Sequence, residues 1–139
     1  MFRVLDEDSP ISKEDFLQFE EILEKELPKT MLDFYLKHNG GQPQVRGVHD
    51  EHHLFPFNSF DSLDEMKKSL KWFDDEAVPA GFKGTDLLHF AYDPGSGNYA
   101  LSLRAEDYGK VYFYVLEEKA ELYGQWPSFE DFLNSFVEE

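Results

Sequence analysis

Leu87-Leu-His-Phe-Ala-Tyr-Asp-Pro-Gly-Ser-Gly-Asn-Tyr-Ala-Leu-Ser-Leu-Arg-Ala-Glu-Asp-Tyr-Gly-Lys-Val-Tyr-Phe-Tyr-Val-Leu116 decides the fold. It reads as three strands and two turns. Leu87–Tyr92 is an apolar strand, and Asp93-Pro94-Gly95-Ser96-Gly97 is a dense turn signal in which Pro and Gly supply the backbone angles of a tight reversal. From Asn98 to Arg104 the chain alternates: Tyr99, Leu101 and Leu103 point one way, and Asn98, Ala100, Ser102 and Arg104 the other, the period of a half-buried strand. After a second turn, Ala105–Gly109, the run Val111–Leu116 is apolar on both faces, as in an inner strand covered on both sides. Turns this short join only antiparallel neighbours. The expectation is an antiparallel scaffold with helices from either side in sequence covering one face.

Upstream, Ser12-Lys-Glu-Asp15 reads as a capping box with Asp in place of the usual Glu or Gln. Phe16, Phe19, Leu23 and Leu27 follow at helical spacing beside Ile22, so an amphipathic helix is expected over Ser12–Glu26. Leu27-Pro28 restarts the chain, with Pro28 suited to the first turn of a second helix over Thr30–His38, in which Met31, Phe34 and Tyr35 are the buried side. Asn39-Gly40-Gly41 ends it, both residue types tolerating a left-handed cap. Val45–Val48 and Leu54–Phe57 are short-strand candidates, the second an edge strand ended by Pro56. Ser62-Leu-Asp-Glu65 opens a third helix, expected over Ser62–Phe73, and residues 74–84 are a loop. Downstream, residues 117–123 fit a strand or a loose connection equally. Ser128 caps a closing helix with Phe129, Phe132, Leu133 and Phe136 on one face. No repeat or linker interrupts the chain, so residues 1–139 are expected to form a single α+β domain: a central, mostly antiparallel sheet packed by N-terminal, middle and C-terminal helices.

Composition narrows the function. The 139 residues hold no cysteine, which removes disulfides, thiol catalysis and thiolate metal sites. The start turns acidic within eight residues and does not read as a signal peptide, and the longest clearly apolar run, Val111–Leu116, is far short of a membrane span, so a cytoplasmic protein without a membrane partner is expected. Twenty-nine acids against 13 bases give a formal net charge of −16. Phosphate contacts need the opposite sign, so nucleic acid is not expected as a partner. An acidic surface steers toward a basic partner, and it also serves plain solubility.

Candidate chemistry is thin. His49-Asp-Glu-His-His53 offers metal ligands, and His49 and His53 stand four apart as in a metalloprotease H-E-x-x-H. Asp50 occupies the Glu position, however, and Gly47 and Pro56 flank the run, so a solvated loop without metal is expected. Gly95-Ser96-Gly97 lacks the spacing and Lys of a P-loop and the second Gly spacing of a nucleophile elbow, so it reads as a hairpin turn. Among so many carboxylates no acid–base pair stands out, and no catalytic residue or cofactor is assigned. Tyr92, Tyr112 and Tyr114, with Trp72 beside Asp74-Asp75-Glu76, are material either for the core or for an interface that receives Lys and Arg.

The order of these pieces resembles the SUKH superfamily. The resemblance is carried by Leu27-Pro28 before a helix with Phe34-Tyr35 that ends in Asn39-Gly40-Gly41, and by Phe90-Ala-Tyr-Asp93 leading through Gly95 and Gly97 to Asn98-Tyr-Ala-Leu101. Gly109-Lys-Val-Tyr112 and Ser128-Phe129 with Phe132-Leu133 complete it, so that it runs from Ser12 to Phe136. It implies an α+β fold and a binding protein without catalytic activity. Bacterial members resemble antidotes that bind a toxin domain, often a nuclease, in the producer's own cytoplasm; the yeast namesake regulates cell-wall synthesis. On that resemblance the expected function is an immunity protein that binds a cognate basic toxin domain, with a regulatory or scaffolding interaction module as the alternative. The candidate partner-binding residues are Asp50, Glu51, Trp72, Asp74, Asp75, Glu76, Tyr92, Asp93, Asn98 and Tyr112. Of these, Asp93 and Asn98 match the family pattern and can serve the fold alone.

Overall fold

In the computed structural model, which describes residues 3–45 and 47–137, the stretch Leu87–Leu116 forms the middle of a five-stranded antiparallel sheet. Its strands are β5 (Ser59–Phe60), β6 (Leu87–Tyr92), β7 (Gly97–Ser102), β8 (Val111–Leu116) and β9 (Ala120–Trp126), adjacent in that order. Strand β8 is internal, as its two apolar faces require, and residues 117–123, undecided from the sequence, lead into and form part of β9. Two small antiparallel sheets complete the strands. One pairs β1 (Val4–Leu5) with β2 (Gln42–Pro43). The other sets β3 (Gly47–His49) between β4 (Leu54–Pro56) and β10 (Phe136–Val137), so Leu54–Pro56 is the edge strand expected. The strand expected at Val45–Val48 lies at Gly47–His49, and Arg46, part of that reading, falls outside the described residues.

Among the described residues there are four α-helices: α1 (Lys13–Leu23), α2 (Lys29–Lys37), α3 (Leu63–Ser69) and α4 (Phe129–Leu133). Both capping boxes form: Ser12 and Ser62 each accept the N–H of the residue three on, and Asp15 and Glu65 reach back to the cap N–H. Three helices end earlier than their apolar spacing predicts, each for a local reason. Helix α1 stops at Leu23 because Glu24 takes left-handed angles (φ 57°), and the Glu20 carboxylate accepts the Leu27 N–H (2.6 Å) across the turn. Helix α3 stops at Ser69, which frees Phe73 to cross to the far face of the sheet. Helix α4 stops at Leu133, and Phe136 reaches the core from β10 instead, its ring centroid 4.8 Å from that of Phe57. Helix α2 keeps its expected end, but Asn39 does not act as a left-handed cap. Its side chain bridges two segments, accepting the Leu63 N–H (2.9 Å) and donating to the Ser9 carbonyl (2.7 Å), while Gly40 and Gly41 take the positive angles.

The helices cover one face of the main sheet. Phe16, Phe34, Met66, Phe129 and Phe132 pack there against Leu88, Phe90, Tyr99 and Phe113, all essentially inaccessible to water. Each such side chain contributes about 1.5–3 kcal/mol relative to its exposed state. The expectation of a half-buried β7 is corrected on the other face. Ala100 and Ser102 are fully buried, because the segment between α3 and β6 wraps across and lays down Phe73, Val78 and Phe82. Gly84 lets this wrap close: a Cβ there would stand 2.1 Å from the Phe73 carbonyl oxygen.

Candidate functional site

Register places the site. In the β6–β7 pair, His89 faces Ala100 but Ala91 faces Tyr99, so one extra residue sits in β6 at Phe90. Facing residues share a sheet face, and a bulge re-aims the side chains beyond it. Without it Tyr92 would lie on the helix-covered face with Leu88 and Phe90. With it, Tyr92 pairs with Asn98 on the opposite face, where His89 also lies, and stays 39% exposed.

Beside this pair a groove of about 540 Å³ opens between β6 and α3. Trp72, in the turns after α3 and 64% exposed, supplies one aromatic wall and Tyr92 another. Asp61 and Glu65, one turn apart around the start of α3, supply carboxylates. The Asp61 backbone is held on both sides: its N–H donates to the Phe90 carbonyl (2.7 Å) and its carbonyl accepts the Tyr35 hydroxyl (2.8 Å). Its carboxyl group has no hydrogen-bond or ion-pair partner among the described residues. Burial, reinforced by the Glu65 charge, pushes its pKa up to about 7. Lys68 lines the same groove without forming an ion pair among the described residues.

His89 forms part of the groove wall and is 95% buried. Its ring lies flat on Phe73, centroids 3.5 Å apart, and Nε2 stands 2.7 Å from the Tyr114 hydroxyl. That hydroxyl donates to the Ala77 carbonyl (3.0 Å), so its single proton is committed and Nε2–H of His89 must be the donor to it. Nδ1 is therefore a bare acceptor, and it has no partner among the described residues. Burial lowers the His89 pKa to about 3, which keeps the ring neutral. The Phe73–His89 stack also lines an adjoining, mostly apolar cavity of about 180 Å³ bordered by the exposed side chains of Ile22 and Leu70.

Of the residues singled out from the sequence, Trp72, Tyr92 and Asn98 come together in this groove. Asp93 stands beside it but works for the hairpin: one carboxylate oxygen accepts the N–H groups of Gly95 and Gly97, both at 2.8 Å. Asp74 and Asp75 shape the wrapping segment, accepting N–H groups of Glu76, Ala77 and Gly84, while Glu76 is exposed. Asp50 and Tyr112 lie apart from these, at a smaller depression of about 260 Å³ beside β9, and Glu51 is exposed in the neighbouring loop. Tyr112 is only 7% exposed, and its hydroxyl donates to Asp107 in a cluster with Arg104 and Ser102. Sequence reasoning missed Asp61, Glu65 and His89. A usable signal was present for two of them: Glu65 closes the capping box, and His89 is the one polar residue in Leu87–Tyr92 besides the terminal tyrosine.

The His49–His53 run is the end of β3 and the connection from it to β4, not a helix, so His49 and His53 do not share a helical face. Asp50 Oδ1 accepts the N–H groups of His52 and His53, both at 2.9 Å. Among the described residues no group of three or more His, Cys, Asp or Glu side chains is placed to hold a metal ion, and no helix is long and apolar enough to cross a membrane.

No curated protein matches the chain. A family model does, over residues 10–135, which takes in the five-stranded sheet, the four helices and the groove. The chain belongs to the SMI1 / KNR4 family (SUKH-1).

Proposed function

We propose that this chain is a non-enzymatic binding protein: an immunity protein that holds a cognate toxin domain, a basic nuclease, in the cytoplasm and blocks it. One observation carries this reading beyond family membership. Trp72 and Tyr92 are exposed around a groove that also holds two carboxylates, in a chain with a formal net charge of −16. Aromatic anchors that lose water on binding slow release, and an acidic field speeds the approach of a basic partner. The toxin's nucleic-acid groove would meet carboxylates where it normally meets phosphates. Exposed acids outside the groove, among them Glu51 and Glu76, add to the field. Affinity for the toxin domain then weakens as salt rises from low to physiological concentration.

The test is coexpression in a sensitive host of the C-terminal domain of any secreted toxin encoded beside this chain's gene, with and without this chain, followed by co-purification. Rescue with a stable complex supports the antidote. An active toxin that is neither neutralised nor bound excludes that pairing. A second reading draws on the regulator that gives the family its name: an interaction module with no toxin partner. A gene with no secreted, variable-ended protein beside it favours that module.

A further inference from the structure

The groove pairs features that no single structural role accounts for. Asp61 carries a carboxyl group that is half-buried and lacks any donor among the described residues. Glu65 spends one oxygen on the Ser62 N–H (2.9 Å). His89 presents a neutral ring nitrogen without a donor among the described residues. Around these acceptors stand two aromatic rings that face water, Trp72 and Tyr92. A groove with surplus acceptors, negative charge and aromatic walls lacks one thing, a flat cation rich in N–H groups. A guanidinium offers five donors in a rigid plane, pairs with carboxylates through two parallel hydrogen bonds, and stacks on aromatic faces; an ammonium is a compact, strongly hydrated point charge.

We propose that this groove takes an arginine side chain of a basic protein partner, with its guanidinium held against the Trp72 and Tyr92 rings and paired with the carboxylates of Asp61 and Glu65. The proposal rests on the reading that the chain acts by binding such a partner. The charge of −16 and the unpaired acceptors select a cationic occupant over an apolar one. The groups that face Asp61 set its pH response. Glu65 and Lys68 come from α3, Tyr35 from α2, and His89 and Tyr92 from β6. Burial, and then the Glu65 charge, hold the Asp61 proton on, and His89, kept neutral, adds no charge in the relevant range. Arginine binds the ionised form, so affinity rises with pH through about 7. With a midpoint there, the ionised fraction, and with it the affinity, increases up to roughly tenfold between pH 6 and pH 8.

The experiment is a titration of the full chain with acetyl-Gly-Arg-Gly-amide followed by NMR, with the citrulline and lysine versions of the peptide as controls. Saturable shifts are expected at the Trp72 indole N–H and the Asn98 side-chain amide. The citrulline peptide, equal in shape but uncharged, should leave them unmoved, and the lysine peptide should bind several-fold more weakly. Asp61→Asn should bind more weakly and lose the pH dependence. Trp72→Ala, a surface change that leaves the fold intact, should lose most of the affinity. Absence of saturable shifts, equal binding of the citrulline or lysine peptide, or shifts confined to other surfaces would overturn the proposal. Should the peptide fail while the toxin domain is still captured, the groove assignment falls and the antidote reading stands. Peptide binding without capture of the toxin domain has the reverse meaning.

Discussion

Tyr92 faces Asn98 across the β6–β7 hairpin, on the sheet face away from the core helices and at the groove, because Phe90 is an extra residue in its strand. That single register shift separates a core tyrosine from a groove tyrosine. It also explains how Leu87–Tyr92 can be almost wholly apolar and still end at an exposed groove.

The first prediction concerns the two exposed rings. Trp72→Ala and Tyr92→Ala should each weaken partner binding by about 2 kcal/mol or more, as expected of anchors at the centre of an interface. At 64% exposure Trp72 holds little of the fold together, so its replacement should change stability by no more than about 0.5 kcal/mol. Calorimetric titration and thermal melts on the same samples check both. Loss of affinity with an equal loss of stability would assign Trp72 to the fold instead.

Asp61 should leave a mark on stability as well as on binding. Its pKa is raised from an ordinary 3.8 to about 7, so between those values the folded chain holds a proton that the unfolded chain releases. Folding stability from this group therefore falls as pH rises through that window. Asp61→Asn should melt higher than the parent above pH 7 and match it near pH 4. A melting difference that does not change with pH contradicts this.

His89 acts in the opposite direction. Burial lowers its pKa from 6.5 to about 3, so in that interval the unfolded chain binds a proton that the folded one refuses, and stability from this group rises with pH. The nitrogen chemical shifts of its ring should show Nε2 protonated and Nδ1 bare at neutral pH. Tyr114→Phe removes the hydrogen-bond partner of Nε2 and should cost about 1–3 kcal/mol, the penalty of a buried donor left unmet.

One carboxylate, Asp107, ties down the turn between β7 and β8. Asp107 is opposed by partial burial, yet hydrogen bonds from Arg104, Ser102 and Tyr112 hold its carboxyl well below the usual range. The Arg104 guanidinium also lies 3.9 Å from the centre of the Phe82 ring, tying the wrapping segment down. Asp107→Asn should destabilise by about 1.5–3 kcal/mol at neutral pH, by loss of charge-assisted bonds. The depressed pKa contributes stability above the ordinary value of 3.8, and that contribution fades as pH falls below it. The penalty should therefore shrink in acid.

The scaffold was legible because strand alternation, turn chemistry and capping boxes are local signals. Residues 87–116 carry their own register apart from the bulge, and Ser12, Ser62 and Ser128 mark helix starts by side-chain chemistry within three residues. Helix ends were less legible. Phe73 and Phe136 sit at helical spacing, but tertiary packing recruits one to the far sheet face and the other to β10. The groove was only half visible for the same reason. Trp72 and Tyr92 stand out as residue types, whereas their meeting depends on a one-residue register shift and on a loop that crosses the sheet. Asp61 looks like any other acid among 29 until its burial is known.

The most direct measurement is amide and side-chain NMR of the full chain, free and saturated with whichever toxin domain it co-purifies with in the rescue test. Burial of the Trp72 indole, with shifts at Tyr92, Asn98 and the start of α3, is the expected result. A stable complex that leaves those residues unchanged and covers the β9 edge or the His49–His53 turn would contradict a partner-binding groove at α3 and β6.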